Sequence, residues 1–195
     1  MTLNSNLAGY RMNNPIQFEA FMRDYQNMVF TTAYRLLADQ AESQDIAQEV
    51  FLKAYQHFDE LKDSPTIGGW LKTVTRNMCL THLTRHRSRW RLFSDIFGQG
   101  EDDPGREEFE KQFAAPDTSL PALETADQKA LLAEALEKLP QDQRAPIVLF
   151  HIEEMSYGEI AESLKISLAK VKVDIHRGRQ ALRRILSQYP ECRMA

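Results

Sequence analysis

MSYGEIAESLKISLAKVKVDIHRGRQALRR, residues 155 to 184, holds two amphipathic repeats separated by a tight turn. Ser156 followed by Glu159 is a capping box, which pairs two amide hydrogens that a helix start otherwise leaves open. Tyr157, Ile160, Ala161 and Leu164 then share one helical face. Lys165 and Ile166 make the turn, and Ser167 caps a second helix. In that helix Val171, Ile175, Gly178, Leu182 and Ile185 form one buried stripe. Lys172, His176, Arg179 and Arg183 form a second stripe beside it. A short helix, a tight turn and a longer helix with a basic outer face is the helix-turn-helix plan, whose second helix fits the major groove of DNA. The same pattern also occurs in all-helical proteins that bind no nucleic acid. Small Ala161 lets the two helices approach closely and favours the DNA reading. Lys165 stands where Gly would sit most easily, because a left-handed conformation costs a non-glycine residue about 1 kcal/mol.

Upstream of this stretch, Leu131, Leu132, Ala135, Leu136 and Leu139 predict a helix ending at Pro140. Residues 141 to 153 predict another, with Ile147, Val148 and Phe150 buried. Pro146 fits its first turn or kinks it. Residues 170 to 193 carry a balance of +5.

Residues 95 to 123 differ in character. Eight acids against Arg106 and Lys111 leave a balance of -6, and Gly and Pro interrupt any long element. A flexible, self-repelling linker is expected there. It separates two basic helical blocks, which marks a domain boundary.

In the first block, Phe18, Phe21, Met22, Tyr25, Val29, Ala33, Leu36 and Leu37 give an amphipathic helix with an aromatic-rich buried side. Residues 42 to 61 bury Ile46, Val50, Ala54 and Phe58, with Phe51 and Tyr55 beside them. Asp45, Gln48, Glu49, Leu52 and Lys53 stay outside. Those charges fit a solvated face, or a protein-docking face centred on Leu52; spacing alone does not choose. Lys62 to Gly69 predicts a loop, and Trp70 opens a helix whose far end is basic. Arg76, Arg85, Arg87, Arg89 and Arg91 lie in a span without acids, interleaved with His82, His86 and Trp90. Arginine with aromatics suits phosphate contact and base stacking, and five exceed what capping a helix end needs.

The 195 residues allow one or two domains, and 43% hydrophobic content supplies ordinary cores. The net charge of -4 hides the two basic blocks. Cys79 and Cys192 form no disulfide framework or zinc motif, which points to a reducing, cytoplasmic compartment. No signal peptide or membrane-length apolar run is expected. His57, His82, His86, His151 and His176 make no HExxH or Cys/His cluster, so neither a metal nor another cofactor is expected, nor an enzyme.

With these blocks in place, the chain resembles the sigma-70 family of bacterial RNA polymerase initiation factors, and within it the extracytoplasmic-function (ECF) type that keeps only regions 2 and 4. The pieces that carry the resemblance are DIAQEVFLKAY at 45 to 55, GWLKTVTRN at 69 to 77, LPQDQR at 139 to 144, MSYGEIAESLKIS at 155 to 167, and RGRQALR at 177 to 183. The resemblance implies an all-α chain of two small helical domains joined by the acidic linker. Residues 1 to 15 would be a disordered N-terminus, 16 to 93 region 2, 94 to 123 the linker, 124 to 188 a winged-helix-like region 4, and 189 to 195 a tail. It implies that Asp45, Gln48, Glu49, Phe51, Leu52 and Lys53 dock on core polymerase. Trp70, Lys72, Thr73, Arg76, Asn77, Arg85 and Arg87 would meet the promoter -10 element, and the loop near 62 to 69 would capture a flipped base. Ser167, Ala169, Lys170, Lys172, His176, Arg177, Arg179 and Arg183 would meet the -35 element. Partners so implied are bacterial core RNA polymerase, promoter DNA and an anti-sigma factor.

The chain departs from the family pattern at several places. Ser43 and Gln44 stand where acids are usual, and added charge by phosphorylation at Ser43 or a nearby hydroxyl is one way docking could be tuned. Thr81 replaces a usual Asp, Ala169 and Lys170 replace Gly-Thr, and Asp174 stands where Arg is common. The main alternative is a stand-alone helix-turn-helix regulator that binds duplex DNA without polymerase.

Overall fold

The computed structural model describes residues 15–97 and 126–189, with the side chains of 16–85 and 130–189. Residues 1–14 of the expected disordered N-terminus, most of the acidic linker, most of the tail and the Arg87 side chain lie outside the described residues, while Pro15, expected in that terminus, belongs to a helix. Among those residues the fold is all helical: α1 (Pro15–Leu37), α2 (Gln40–Gln56), α3 (Phe58–Leu61), α4 (Ile67–Phe97), α5 (Ala126–Glu137), α6 (Gln141–His151), α7 (Tyr157–Leu164) and α8 (Leu168–Leu186). No strand occurs among them, so the expected winged-helix-like region 4 shows a helix-turn-helix without a wing. The chain divides into two compact units, Met1–Tyr34 with Asp39–Asn77, and Arg35–Ala38 with Met78–Ala195.

In the first unit, Pro15 opens α1, where its missing N–H costs nothing. An aromatic cluster ties α1 to α2 and α3. Phe18 meets Tyr55 and Phe58 edge-on at 4.9 and 5.1 Å, and Phe21 meets Phe51 at 6.3 Å. Met22, expected inside, is exposed. α2 begins earlier than its apolar repeat because Asp39 caps it, Oδ1 accepting from the Glu42 amide at 2.9 Å. The expected single helix over 42–61 breaks at His57 into α2 and α3.

α4 starts at Ile67 rather than Trp70, so Gly68 and Gly69 are helical and not loop. The buried Ile67 side chain supplies the reason, anchoring a turn that two glycines alone would not hold. α4 also runs past residue 93 to Phe97. Within it Cys79 is fully buried, and desolvation pushes its thiol up to about 12, so it is an inert core residue.

In the second unit the sequence signals at 155 to 184 hold. Glu159 Oε2 accepts from the Ser156 amide at 2.8 Å, while Ser156 Oγ accepts from the Glu159 amide at 3.3 Å. Lys165 adopts φ 53 and ψ 49, the left-handed turn that its position required. Ser167 Oγ accepts from the Lys170 amide at 3.1 Å and starts α8. Pro146 lies inside α6, buried, and the helix continues through it to His151. Phe150, expected in the core, is only half-buried.

α8 packs against α5, α6 and α7. Its close approach to α6 depends on Gly178. A Cβ there would overlap Ile147 Cδ1 and stand 3.3 Å from Gln143 Cβ. Ile147 is 1% exposed, so its methyl has little room to retreat. Overpacking costs about 1–3 kcal/mol, while Gly to Ala in a helix returns about 1 kcal/mol. Gly178→Ala should therefore lower stability by about 1 kcal/mol in urea unfolding, and adding Ile147→Val should recover most of that loss.

Candidate docking and nucleic-acid surfaces

α2 turns Ser43, Ile46, Val50, Phe51 and Ala54 inward. The helical period then forces Asp45, Gln48, Glu49, Leu52 and Lys53 outward, and all five are exposed. Leu52 is 64% exposed, a large apolar side chain among carboxylates, carboxamides and a lysine. It borders a groove of about 710 Å³ between α1 and α2, with Phe18, Met22, Phe30 and Tyr55 as apolar lining and Gln26, Gln44 and Gln48 as polar lining. Phe51 is different. Its side chain is buried against Phe21, so it supports this face from below.

The idea of tuning this face by phosphorylation at Ser43 does not survive. Ser43 is fully buried, and its hydroxyl donates to the Asp39 carbonyl at 2.6 Å inside the first turn of α2. A phosphate there would bury charge in the helix start rather than add it to the surface.

On α4, Thr73, Asn77 and Arg85 are exposed, while Trp70, Lys72 and Arg76 are half-buried. Thr81 is exposed too and continues the spacing of four between Thr73, Asn77 and Arg85. By sequence alone Thr81 is marked only as a departure from the family pattern. Its place in the row follows from counting the period outward from Thr73.

α8 sorts its polar residues into two groups. Ser167, Lys172, Arg177 and Arg183 are exposed, and Ala169 is half-buried at the head of the helix. Exposed Leu168, Gln180 and Arg184 join them, although the basic-stripe pattern did not single them out for this surface. The second group is half-buried, apart from buried Asp174, and is engaged by side chains of the same unit. Lys170 Nζ lies 3.2 Å from both carboxylate oxygens of Asp174 and 3.6 Å from Asp142. Asp174 is 4% exposed, so Lys170 neutralises a buried carboxylate. Arg179 Nε donates to His151 Nε2 at 3.1 Å, and its guanidinium lies over the Phe150 ring at 5.3 Å. His176 is held below its ordinary pKa by burial first and then by Arg179 and Arg183. It is therefore neutral at pH 7, and it pairs with the Gln180 amide at 2.9 Å.

Among the described residues, no group of His, Cys, Asp and Glu could hold a metal ion, and no helix is long and apolar enough to cross a membrane. The chain matches the profile of sigma-70 region 2 over residues 21–89 and that of sigma-70 region 4 over residues 129–182. It is 32% identical to the ECF RNA polymerase sigma factor SigW of Bacillus subtilis over 165 residues, 83% of this chain and 84% of that protein. It is 33% identical to the ECF RNA polymerase sigma factor SigE of Mycolicibacterium smegmatis, over 88% of this chain and 62% of that protein. A solved complex of the sigma factor RpoE with the anti-sigma factor NepR from Bartonella quintana aligns at TM-score 0.44 and 20% identity, over 87% of this chain and 96% of that one.

Proposed function

This chain belongs to the ECF group of sigma-70 family RNA polymerase sigma factors, and on that premise we propose how its surfaces divide the work. The protein is an alternative sigma factor: it binds core RNA polymerase and directs promoter recognition and transcription initiation. The observation that carries this is the pair of region profiles, matched in order along one chain. A stand-alone regulator would have no use for region 2, and that alternative is set aside. Sigma factors as a class are not enzymes, and we assign this chain no reaction.

In this proposal, region 2 spans 16 to 93, region 4 spans 124 to 188, and the residues between them are a tether. The α2 face of Asp45, Gln48, Glu49, Leu52 and Lys53 docks on polymerase, with Phe51 fixing its shape. The α4 residues Trp70, Lys72, Thr73, Arg76, Asn77, Thr81, Arg85 and Arg87 meet the -10 element. Ser167, Ala169, Lys172, His176, Arg177, Arg179 and Arg183 meet the -35 element, while Lys170 supports the helix that carries them. Charged contacts supply affinity and register, and neutral His176 adds no phosphate charge at pH 7. An anti-sigma factor would compete for the groove beside Leu52. The cytoplasm, where polymerase works, is the compartment this role requires.

The test is run-off transcription by core polymerase plus this chain on a randomised promoter library. Failure to join core enzyme, or joining it without directing any start site, would falsify the reading. For the surfaces, Lys172→Ala and Arg183→Ala should each lower the salt dependence of promoter binding by about 1 in slope. Asp45→Lys with Glu49→Lys should release core polymerase in a pull-down.

A further inference from the structure

We propose that His151, which lies on α6 and outside the recognition helix, is a positioning residue for -35 recognition: as a neutral imidazole it holds the Arg179 guanidinium along the basic face of α8. The inference rests on the reading that α8 meets the -35 element. An arginine at a helix surface ordinarily samples many rotamers, and each contact it makes with DNA must first order it. Here two groups already restrict it. Arg179 Nε donates to His151 Nε2 at 3.1 Å, and the guanidinium carbon lies 5.3 Å from the centre of the Phe150 ring. Phe150 is itself fixed, edge-on to His151 at 4.8 Å and tilted against Tyr157 at 4.8 Å. The ring and the imidazole thus come from adjacent positions at the end of α6, and they hold a side chain 28 residues away in sequence.

The chemistry of the bond fixes the state of His151. A guanidinium only donates, so Nε2 must carry a lone pair and the imidazole must be neutral. Glutamine can present an acceptor oxygen to Arg179; alanine cannot. That difference separates positioning from bulk packing.

The experiment uses holoenzyme reconstituted from core polymerase and the full chain, binding the promoter fragment selected from the randomised library, across a salt series. Four variants are compared: His151→Ala, His151→Gln, Arg179→Ala, and His151→Ala with Arg179→Ala. We expect Arg179→Ala to weaken binding and lower the salt slope by about 1. His151→Ala should weaken binding about fivefold, the cost of ordering one long side chain, and His151→Gln should stay within about twofold of the parent. In the Arg179→Ala background, His151→Ala should add nothing. If Arg179→Ala changes neither affinity nor slope, Arg179 does not meet the promoter, and both that assignment and this inference fall. If Arg179→Ala acts but His151→Ala has no effect, or acts equally in both backgrounds, the inference alone is overturned. A glutamine variant as weak as the alanine variant overturns it too.

Discussion

Leu52→Asp is expected to weaken binding to core RNA polymerase by at least about 30-fold, the loss typical of a central apolar anchor worth about 2 kcal/mol. The chain should remain folded, because Leu52 is 64% exposed and a surface substitution of this kind changes stability by about 0.5 kcal/mol or less. Its neighbour gives the opposite result. Phe51 is 7% exposed and packs edge-on against Phe21. Phe51→Ala should cost about 3–5 kcal/mol and lose binding by unfolding region 2. Urea unfolding and a core-polymerase pull-down on the same two variants separate these mechanisms. Parental binding by a folded Leu52→Asp chain would remove the α2 face from the docking surface.

Lys170→Met should destabilise the second unit by about 2 kcal/mol and leave the salt slope of promoter binding nearly unchanged. Removing one partner of a fully buried ion pair costs about 3–5 kcal/mol, and the lower figure reflects the 38% exposure of the Lys170 side chain. The origin is Asp174, whose carboxylate is buried and faces Lys170 one helical turn away. Adding Asp174→Asn removes the stranded charge, and the double variant should recover more than half of the loss. Urea midpoints of the single and double variants check this. A slope lowered by about 1 at unchanged stability would instead make Lys170 a phosphate contact.

This pair also accounts for two departures from the family pattern. Lys170 and Asp174 look like separate anomalies in the sequence, one a replaced Gly-Thr position and one an acid where Arg is common. They stand four residues apart on α8, and each neutralises the other. The spacing was visible. What was not visible is that this turn of α8 faces inward, with Asp142 of α6 also within 3.6 Å of Lys170.

Other differences share this cause. Arg179 falls on the basic stripe by count, yet His151 and Phe150 engage it. Ser43 occupies a position usually acidic in the family, yet it is sealed inside a helix start. The glycines at 68 and 69 mark a loop by composition, yet Ile67 packs and the helix forms over them.

What the amino-acid order determined by itself was everything governed by neighbours within a turn or two. That includes the capping box at Ser156, the strained Lys165 turn, the Ser167 cap, the inward row of α2 and the outward Leu52. Hydrogen bonds and helical periods span three or four residues, so their signals are local and survive in a string of letters. Only the tertiary structure decided which cations of α8 are met by groups of another helix: Lys170 by Asp142 and Arg179 by His151, both on α6. A charged side chain's role depends on the groups that surround its tip. Those groups come from another helix, at a distance along the chain that no local period records.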